Sequence, residues 1–277
     1  MINMVKEYKG NRGFVASAAN SADVNYLELA YAQALSIKTT QSSEKNYAVI
    51  VDEPTFKQVE SKHREVFDSI VVAPGVWNFT REWEVRNLSP WKRTIKVDVD
   101  MLFVNDISHW WNSFENWKVL FTTDVENYKG DVIVNRWHRK LFDDNLLPNI
   151  YTAFYYFRDG VDSADFFEIC AEVSHNWNWF ASEFLIKNAN LNPRDDEIFA
   201  IAAEIYGVEK CTIPGSAYPR FVHFRETLND LPPEKPWHKQ LHYELNDRLW
   251  IGHYSQRLPL HYCSKNFISK ELIEKYE

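Results

Sequence analysis

Thr94-Ile95-Lys96-Val97-Asp98-Val99-Asp100-Met101-Leu102 decides how this chain is read. A short β-type run ends in two carboxylates, then resumes as apolar chain through Phe103-Val104 and closes at Asn105-Asp106-Ile107. It is the only Asp-x-Asp of the sequence. Two carboxylates at a strand end between apolar runs are costly to desolvate unless something compensates their charge. A divalent cation bound to a diphosphate does so, and hard oxygen ligands suit Mg²⁺ or Mn²⁺. A solvated turn is the plain alternative, and it would not normally be enclosed by two strand-like runs.

Working outward, Phe14 to Ala18 reads as a buried strand and Asn20 to Asp23 as a polar turn. Val24 to Lys38 has helical spacing, with Leu27, Ala30, Tyr31, Ala34 and Ile37 on one face. Tyr47–Val51 and Ser69–Val72 are two further strands, with a short helical segment between them. Strand, helix, strand, helix, strand predicts a mostly parallel sheet with crossover helices, an α/β fold. Ligands of such sheets lie at the carboxyl ends of strands, where Asp52, Asp98 and the turn after Ala18 fall. Further on, Trp117 to Thr122, Val132 to Val134 and Ala153 to Phe157 read as strands. Ser163 to about Lys187 reads as one helix capped by Asp162 or Ser163, and Pro193 opens another over Asp195 to Tyr206. Phe221 to Phe224 reads as the last strand.

The chain has 277 residues, enough for a large core, with no repeat, low-complexity run or long linker. The simplest organisation is a single domain. A net charge of −8 disfavours broad binding to nucleic acid, which relies on neutralising phosphates. Two basic clusters could act locally: Lys92, Arg93 and Lys96, and Arg136-Trp137-His138-Arg139-Lys140. Either could equally be a solvated face. Aromatics at 16%, with 11 Trp, suit stacking platforms for sugars or bases, although a bulky core accounts for most of them. Cys170, Cys211 and Cys263 are odd in number and widely spaced, so neither a disulfide framework nor a zinc ribbon is expected. Met1 to Lys6 lacks a secretory apolar region, and no apolar run approaches the ~20 residues of a membrane span. The expected compartment is the cytoplasm.

Several motifs are missing. There is no Gly-x-Gly-x-x-Gly after the first strand, no Walker A, no Gly-x-Ser-x-Gly and no His-Glu-x-x-His. What remains is Phe14-Val15-Ala16-Ser17-Ala18-Ala19-Asn20 with the Tyr26-Leu27 helix, the Asp-x-Asp run, and Val222-His223-Phe224 followed by Lys235-Pro236-Trp237. In these three blocks the chain, from about Gly13 to Trp237, resembles nucleotide-sugar glycosyltransferases of the GT-A fold. Among them it is similar to glycosyltransferase family 8, the group of glycogenin and the lipopolysaccharide galactosyltransferases. Asn87-Leu88-Ser89-Pro90 and Asp106-Ile107-Ser108-His109-Trp110-Trp111 are similar to members encoded by tailed phages.

The resemblance implies a GT-A (Rossmann-like) domain. Residues 12–110 would form its nucleotide-binding half, 111–245 its sugar and acceptor half, and 246–277 a C-terminal extension. It implies a metal-dependent retaining transfer of a sugar from a UDP-sugar to a hydroxyl acceptor, with Mn²⁺ or Mg²⁺ on the donor diphosphate. The metal ligands would be Asp98, Asp100 and His223. Lys235 would contact the diphosphate, and Ala18, Asn20 and Asp23 would grip the uridine, with Asp98 reaching the ribose. Arg86 falls where an arginine meets the donor. Asp195-Asp196-Glu197 stands where the family has Asp-Gln-Asp, which puts Asp196 near the anomeric carbon. An acidic first turn suited to the helix dipole is the other reading of that stretch.

Departures from the family pattern are also legible. Arg225 to Glu234 separates His223 from Lys235 by more than the family's few residues and lacks its Gly. Tyr151-Thr152-Ala153 replaces an Asn-Ala-Gly strand that touches the donor sugar, which leaves the sugar open. The acceptor stays open too, between a hydroxymethylated pyrimidine of phage DNA and a glycan or small hydroxyl compound. The remaining classes are a nucleotide-holding module without turnover and a nucleotidyltransferase. The latter would want a glycine-rich loop that Ala16 to Asp23 does not offer.

Overall fold

The computed structural model describes residues 7–134, 137–187, 192–213, 215–216 and 218–277. Thirteen strands are found among them: β1 (Gly10–Ser17), β2 (Tyr47–Val51), β3 (Ser69–Val72), β4 (Trp91–Val97), β5 (Met101–Leu102), β6 (Val119–Thr122), β7 (Val125–Glu126), β8 (Tyr151–Arg158), β9 (Phe221–His223), β10 (Tyr243–Leu245), β11 (Leu249–Ile251), β12 (Tyr254–Ser255) and β13 (Leu260–His261). The α-helices are α1 (Tyr26–Thr40), α2 (Glu53–Phe56), α3 (Ser61–Val66), α4 (Val85–Leu88), α5 (Trp110–Phe114), α6 (Lys140–Asp144), α7 (Val161–His175), α8 (Trp177–Phe184), α9 (Asp195–Tyr206) and α10 (Lys270–Ile273).

The central sheet has the order β3-β2-β1-β4-β8-β6. β3, β2, β1 and β4 pair in parallel, whereas β8 runs antiparallel to both its neighbours. Successive residues of a strand face opposite ways, so β1 divides its apolar side chains between two cores. Phe14 and Ala16 join the α1 side, and Val15 joins the side covered by α7 and α9. This is the α/β architecture expected: a mixed, mostly parallel sheet flanked by helices.

β1 is followed by β2 on one side and flanked by β4 on the other. The chain therefore reverses direction of travel across the sheet between β1 and β4, the place where open α/β sheets leave a crevice at their carboxyl ends. Asp98 follows β4 at that edge, and Ser17 ends β1 there. Because β8 is antiparallel, its first residues, Tyr151 to Ala153, reach the same edge, and Asp98 N donates to Ala153 O at 2.8 Å. A second sheet, β5-β13-β9-β7, packs beside this edge. It fastens Asp100 in place, since Tyr262 N donates to Asp100 O at 3.1 Å.

Three readings change. Phe221–His223 is not the last strand: β10 to β13 follow, and β13 pairs in parallel with β9. Residues 246–277 thus return to the carboxylate edge. The 163–187 helix is two helices, broken at Asn176, whose φ −111° and ψ 33° lie outside the helical range, and its N-cap is Gly160. Val132 to Val134 makes one bridge, Val132 to Glu126, rather than a strand. Ile133 packs against the core, while Val132 and Val134 on either side of it are exposed, Val134 by 85%.

Gly13 sits where β1 and the Trp91 indole meet. A Cβ at Gly13 would stand 2.6 Å from Trp91 Cε2 and Nε1, and that indole is anchored by its bond to Phe14 O at 3.1 Å. Gly13→Ala is expected to cost about 1–3 kcal/mol by overpacking and to lower Tm by several degrees. An unchanged melting curve would mean that the indole swings aside freely.

Candidate active site

Two clefts open at the carboxylate edge, and Asp98 lines both. The first, about 240 Å³, lies over the ends of β1 and β4 and is walled by Ser17, Ala19, Tyr26, Trp77, Asp100 and Lys265, among others. The second, about 410 Å³, lies between the start of β8 and the start of α9, with Arg139, Thr152, Asp195, Asp196, His223 and His261 in its lining.

Among the described residues, Asp98, Asp100 and His261 offer one ligand atom each within 4.8 Å of one another. His261 Nε2 lies 3.2 Å from Asp100 Oδ2 and 3.9 Å from Asp98 Oδ2. Lys265 Nζ bonds the same Asp100 oxygen. Burial opposes charge on Asp100, but His261 and Lys265 outweigh it and hold the carboxyl well below the usual range. Two carboxylate oxygens and an imidazole nitrogen fit Mn²⁺ or Mg²⁺.

His223 is close but one place removed. β9 and β13 pair in register, His223 opposite His261, and the Nδ1 atoms of the two rings stand 3.2 Å apart. The His that meets the carboxylates is therefore His261. Burial, then the neighbouring His261, pushes His223 well below the usual imidazole value. Lys235 is not brought to the site. It lies exposed in the Pro-rich turn and lines neither cleft, while Trp237 of the same motif is core, stacked on Phe224 at 4.2 Å. Lys265 occupies the place expected of Lys235. A signal existed: His261-Tyr-Cys-Ser-Lys265 restores the short His–Lys spacing that the loop after His223 breaks.

Arg86 is also elsewhere. Its Nη2 pairs with Asp159 Oδ1 at 2.5 Å, and Asp159 N bonds Lys92 O at the start of β4. Six strand residues separate Lys92 from Asp98, roughly 20 Å, so Arg86 sits at the opposite end of the sheet. Ala18 is buried, and its N–H bonds Ile50 O at 2.8 Å. Asn20 ties the β1–α1 loop, accepting from Leu27 N and donating to Gln58. Asp23 lines a separate groove between α1 and the C-terminal residues. Their neighbours Ser17 and Ala19 face the first cleft instead.

Lys96 belongs to the site and not to a basic surface cluster. It is fully buried, and its Nζ lies 2.7 Å from Asp98 Oδ1, 3.3 Å from Glu82 Oε2 and 3.3 Å from Thr152 O. Burial alone would lower its pKa, yet Asp98 and Glu82 reverse this and keep it cationic. Asp98 is thus held by a lysine on one side and faces His261 on the other.

The acidic turn of α9 separates into two roles. Asp196 is clamped: Arg139 Nη1 donates to Oδ2 at 2.5 Å, and Thr152 N and Oγ1 donate to Oδ1. Burial raises its pKa, and Arg139 and Thr152 more than offset that. Asp195 Oδ2 lies 2.8 Å from Thr152 Oγ1. Burial first, then the charges of Asp196 and Asp98, push it up to about 7. The folded pKa is raised, so the stability this group contributes is fully present below the unfolded value near 4 and is lost as pH rises through about 7. Asp195→Asn removes that term. Its urea midpoint is expected to gain on the wild type between pH 4 and 7, and parallel profiles would mean that Asp195 is ionised throughout.

Among the described residues of the basic clusters, Lys92 is exposed and most of the others are paired or buried. Lys96 is internal, Arg93 pairs with Glu115 at 2.9 Å, Arg139 is buried on Asp196, and Lys140 pairs with Asp144. Arg136 lies outside the described residues. Among the described residues no helix is long and apolar enough to cross a membrane.

No family model matches the chain, and no curated protein matches it. Solved structures do match. Mouse xyloside xylosyltransferase 1 in its apo form aligns over 73% of this chain and 84% of its own, at 11% identity and a TM-score of 0.46. The galactosyltransferase LgtC in complex with donor and acceptor sugar analogs aligns over 72% of each chain, at 13% identity and 0.46. The glycosyltransferase GlyE of Streptococcus pneumoniae TIGR4 aligns over 96% of this chain and 60% of its own, at 10% identity and 0.46.

Proposed function

We propose that this protein is a metal-assisted, retaining glycosyltransferase that moves a sugar from a UDP-sugar to the hydroxyl of a glycan or small molecule. The observation that carries the reading is the position of Asp98, shared by two clefts and grouped with Asp100 and His261. One cleft suits a nucleoside, with Tyr26 and Trp77 as stacking surfaces, and the other suits a sugar, with Thr152, Asp195 and Asp196 as polar partners. A diphosphate would then cross between them at Asp98.

In this reading Asp98, Asp100 and His261 hold Mn²⁺ or Mg²⁺, whose charge would stabilise the departing nucleoside diphosphate. Lys265 adds a second positive charge at the same place, without proton transfer. Lys96 fixes the carboxylate of Asp98. Asp195, its pKa pushed up to about 7, populates both protonation forms at pH 7 and can donate or accept a hydrogen bond at a sugar hydroxyl. Asp196 positions Thr152 rather than meeting the anomeric carbon, because both its oxygens are already engaged. The GT-A resemblance of the Asp98 run and of the β1 block supports the donor class.

Among acceptors, the internal pairing of the basic clusters favours a glycan or small hydroxyl compound over duplex DNA. The test is a screen of UDP-sugars with Mn²⁺, scored by UDP release, with and without hydroxymethylated DNA. Metal-dependent release from one sugar nucleotide, unaffected by DNA, is expected. Binding of UDP without turnover of any donor or acceptor would leave a nucleotide-holding module instead, and stimulation by the modified DNA would restore that acceptor.

A further inference from the structure

His261 presents a different nitrogen to each of two donor groups. Its Nε2 faces Asp98 and Asp100, as described. Its Nδ1 faces His223 and Cys263, and these three side chains form a second group with ligand atoms within 4.8 Å of one another. The second group is built by the small sheet. Parallel register sets the two imidazoles side by side, with their Nδ1 atoms 3.2 Å apart. Cys263 follows two residues later with its Sγ 4.0 Å from His223 Nδ1. Its φ is 55°, a left-handed conformation that costs a side chain energy and that glycine adopts freely. The strained residue is thus the one that delivers sulfur to two nitrogens.

We infer that His223, His261 and Cys263 form a second metal site, of Zn²⁺ type, that draws on the same histidine as the carboxylate group. Two imidazoles and a thiolate are a borderline-soft donor set, unlike the oxygen-rich set beside it. A tetrahedral zinc with ordinary bond lengths holds its nitrogens about 3.3 Å apart and nitrogen and sulfur about 3.6 Å apart. The 3.2 and 4.0 Å found here lie close to both. His223 and His261 also line the second cleft, so a fourth position can open towards it. Binding would release the thiol proton.

A neutral imidazole has one nitrogen lone pair. With a metal on His261 Nδ1, the proton sits on Nε2 and is donated to Asp100 at 3.2 Å. That is the carboxylate–histidine–metal arrangement by which ligating imidazoles are commonly oriented. With a metal on Nε2, the proton sits on Nδ1 and is donated to His223. The two sites therefore compete for one tautomer, and zinc in the thiol site would weaken the carboxylate site. This competition rests on the proposed metal role of Asp98 and Asp100, whereas the thiol site does not.

The test titrates the reduced protein with Co²⁺ and Zn²⁺. Wild type is expected to give a thiolate-to-cobalt charge-transfer band at one equivalent, displaced by Zn²⁺. Cys263→Ser and Cys263→Gly should abolish the band. They should also weaken Zn²⁺, in competition with a chromophoric chelator, by at least the roughly 10–100-fold that loss of an outer partner costs. Cys263→Gly relieves the backbone, so loss of the band in it cannot be ascribed to misfolding. No band in wild type, or Zn²⁺ affinity unchanged in both variants, would overturn the site. Mn²⁺ binding followed by electron paramagnetic resonance should weaken on adding one equivalent of Zn²⁺ in wild type only. Undisturbed Mn²⁺ binding would overturn the competition. If Mn²⁺ fails to bind wild type at all, the carboxylate reading fails, while the cobalt band still decides the thiol site.

Discussion

Asp100→Asn is expected to lower metal-dependent UDP release by at least about 10²–10³-fold, the scale of losing one preorganised electrostatic group. Asp100 is almost wholly buried, and one of its oxygens meets both His261 Nε2 and Lys265 Nζ. Asparagine keeps the volume and removes the charge, so His261 and Lys265 would face a neutral amide that holds them and a cation far more weakly. The backbone bond from Tyr262 to Asp100 O does not depend on the side chain and should persist. The measurement pairs initial rates of UDP release with Mn²⁺ affinity. A variant that folds, loses Mn²⁺ and loses turnover supports the reading. Wild-type rates in Mn²⁺ would reduce the Asp-x-Asp to a structural turn.

Arg139→Ala is expected to be the most destabilising single change in the second cleft. The guanidinium is buried, its carbon 3.7 Å from the Phe142 ring centre and 4.5 Å from that of Tyr151. It donates to Asp196, to Asn149 Oδ1 at 2.9 Å and to Ile150 O. Breaking a buried pair from one side strands the other charge and costs about 3–5 kcal/mol. Asp196 keeps 29% side-chain exposure, so water recovers part of that and the lower end is expected. About 3 kcal/mol corresponds to a Tm lower by about 6–12 °C. Arg139→Lys should recover only part, because one ammonium cannot make three planar bonds or lie flat between two rings. A Tm within a degree or two of wild type would show that Asp196 is content without the arginine. Duplex DNA should bind the variant no differently from wild type, since Arg139 points inward.

The sequence by itself determined the α/β class, the strands and helices of the first 75 residues and the carboxylate pair. These are local signals. Tyr47–Val51 and Ser69–Val72 are bounded by polar chain and coincide with β2 and β3, and Asp195 to Tyr206 after Pro193 is α9. The Asp-x-Asp needs only its own flanks to be read, because a strand that ends in two charges must end at an edge.

Only the tertiary structure decided which histidine and which lysine meet those charges. His223 and His261 are equivalent as letters, and the motif around Lys235 points to a lysine that lies away from the carboxylates. The choice depends on β13 pairing with both β5 and β9, a non-local register that places His261 between Asp100 and His223 and leaves Lys235 in solvent. Arg86 lies elsewhere for the same reason: five residues before β4 begins, it is tied to the strand's amino end, away from the crevice. The division of labour between Asp195 and Asp196 is tertiary as well. Adjacent identical residues differ because Arg139, arriving from 57 positions upstream, and the Thr152 backbone N–H meet Asp196 and not Asp195. Lys96 lies between these cases. Its letter stood in plain view inside a β run, but a strand lysine can face water as easily as core. Burial between Glu82, Asp98 and Thr152 made it part of the site, because a charge enclosed by a fold persists only where opposite charges are enclosed with it.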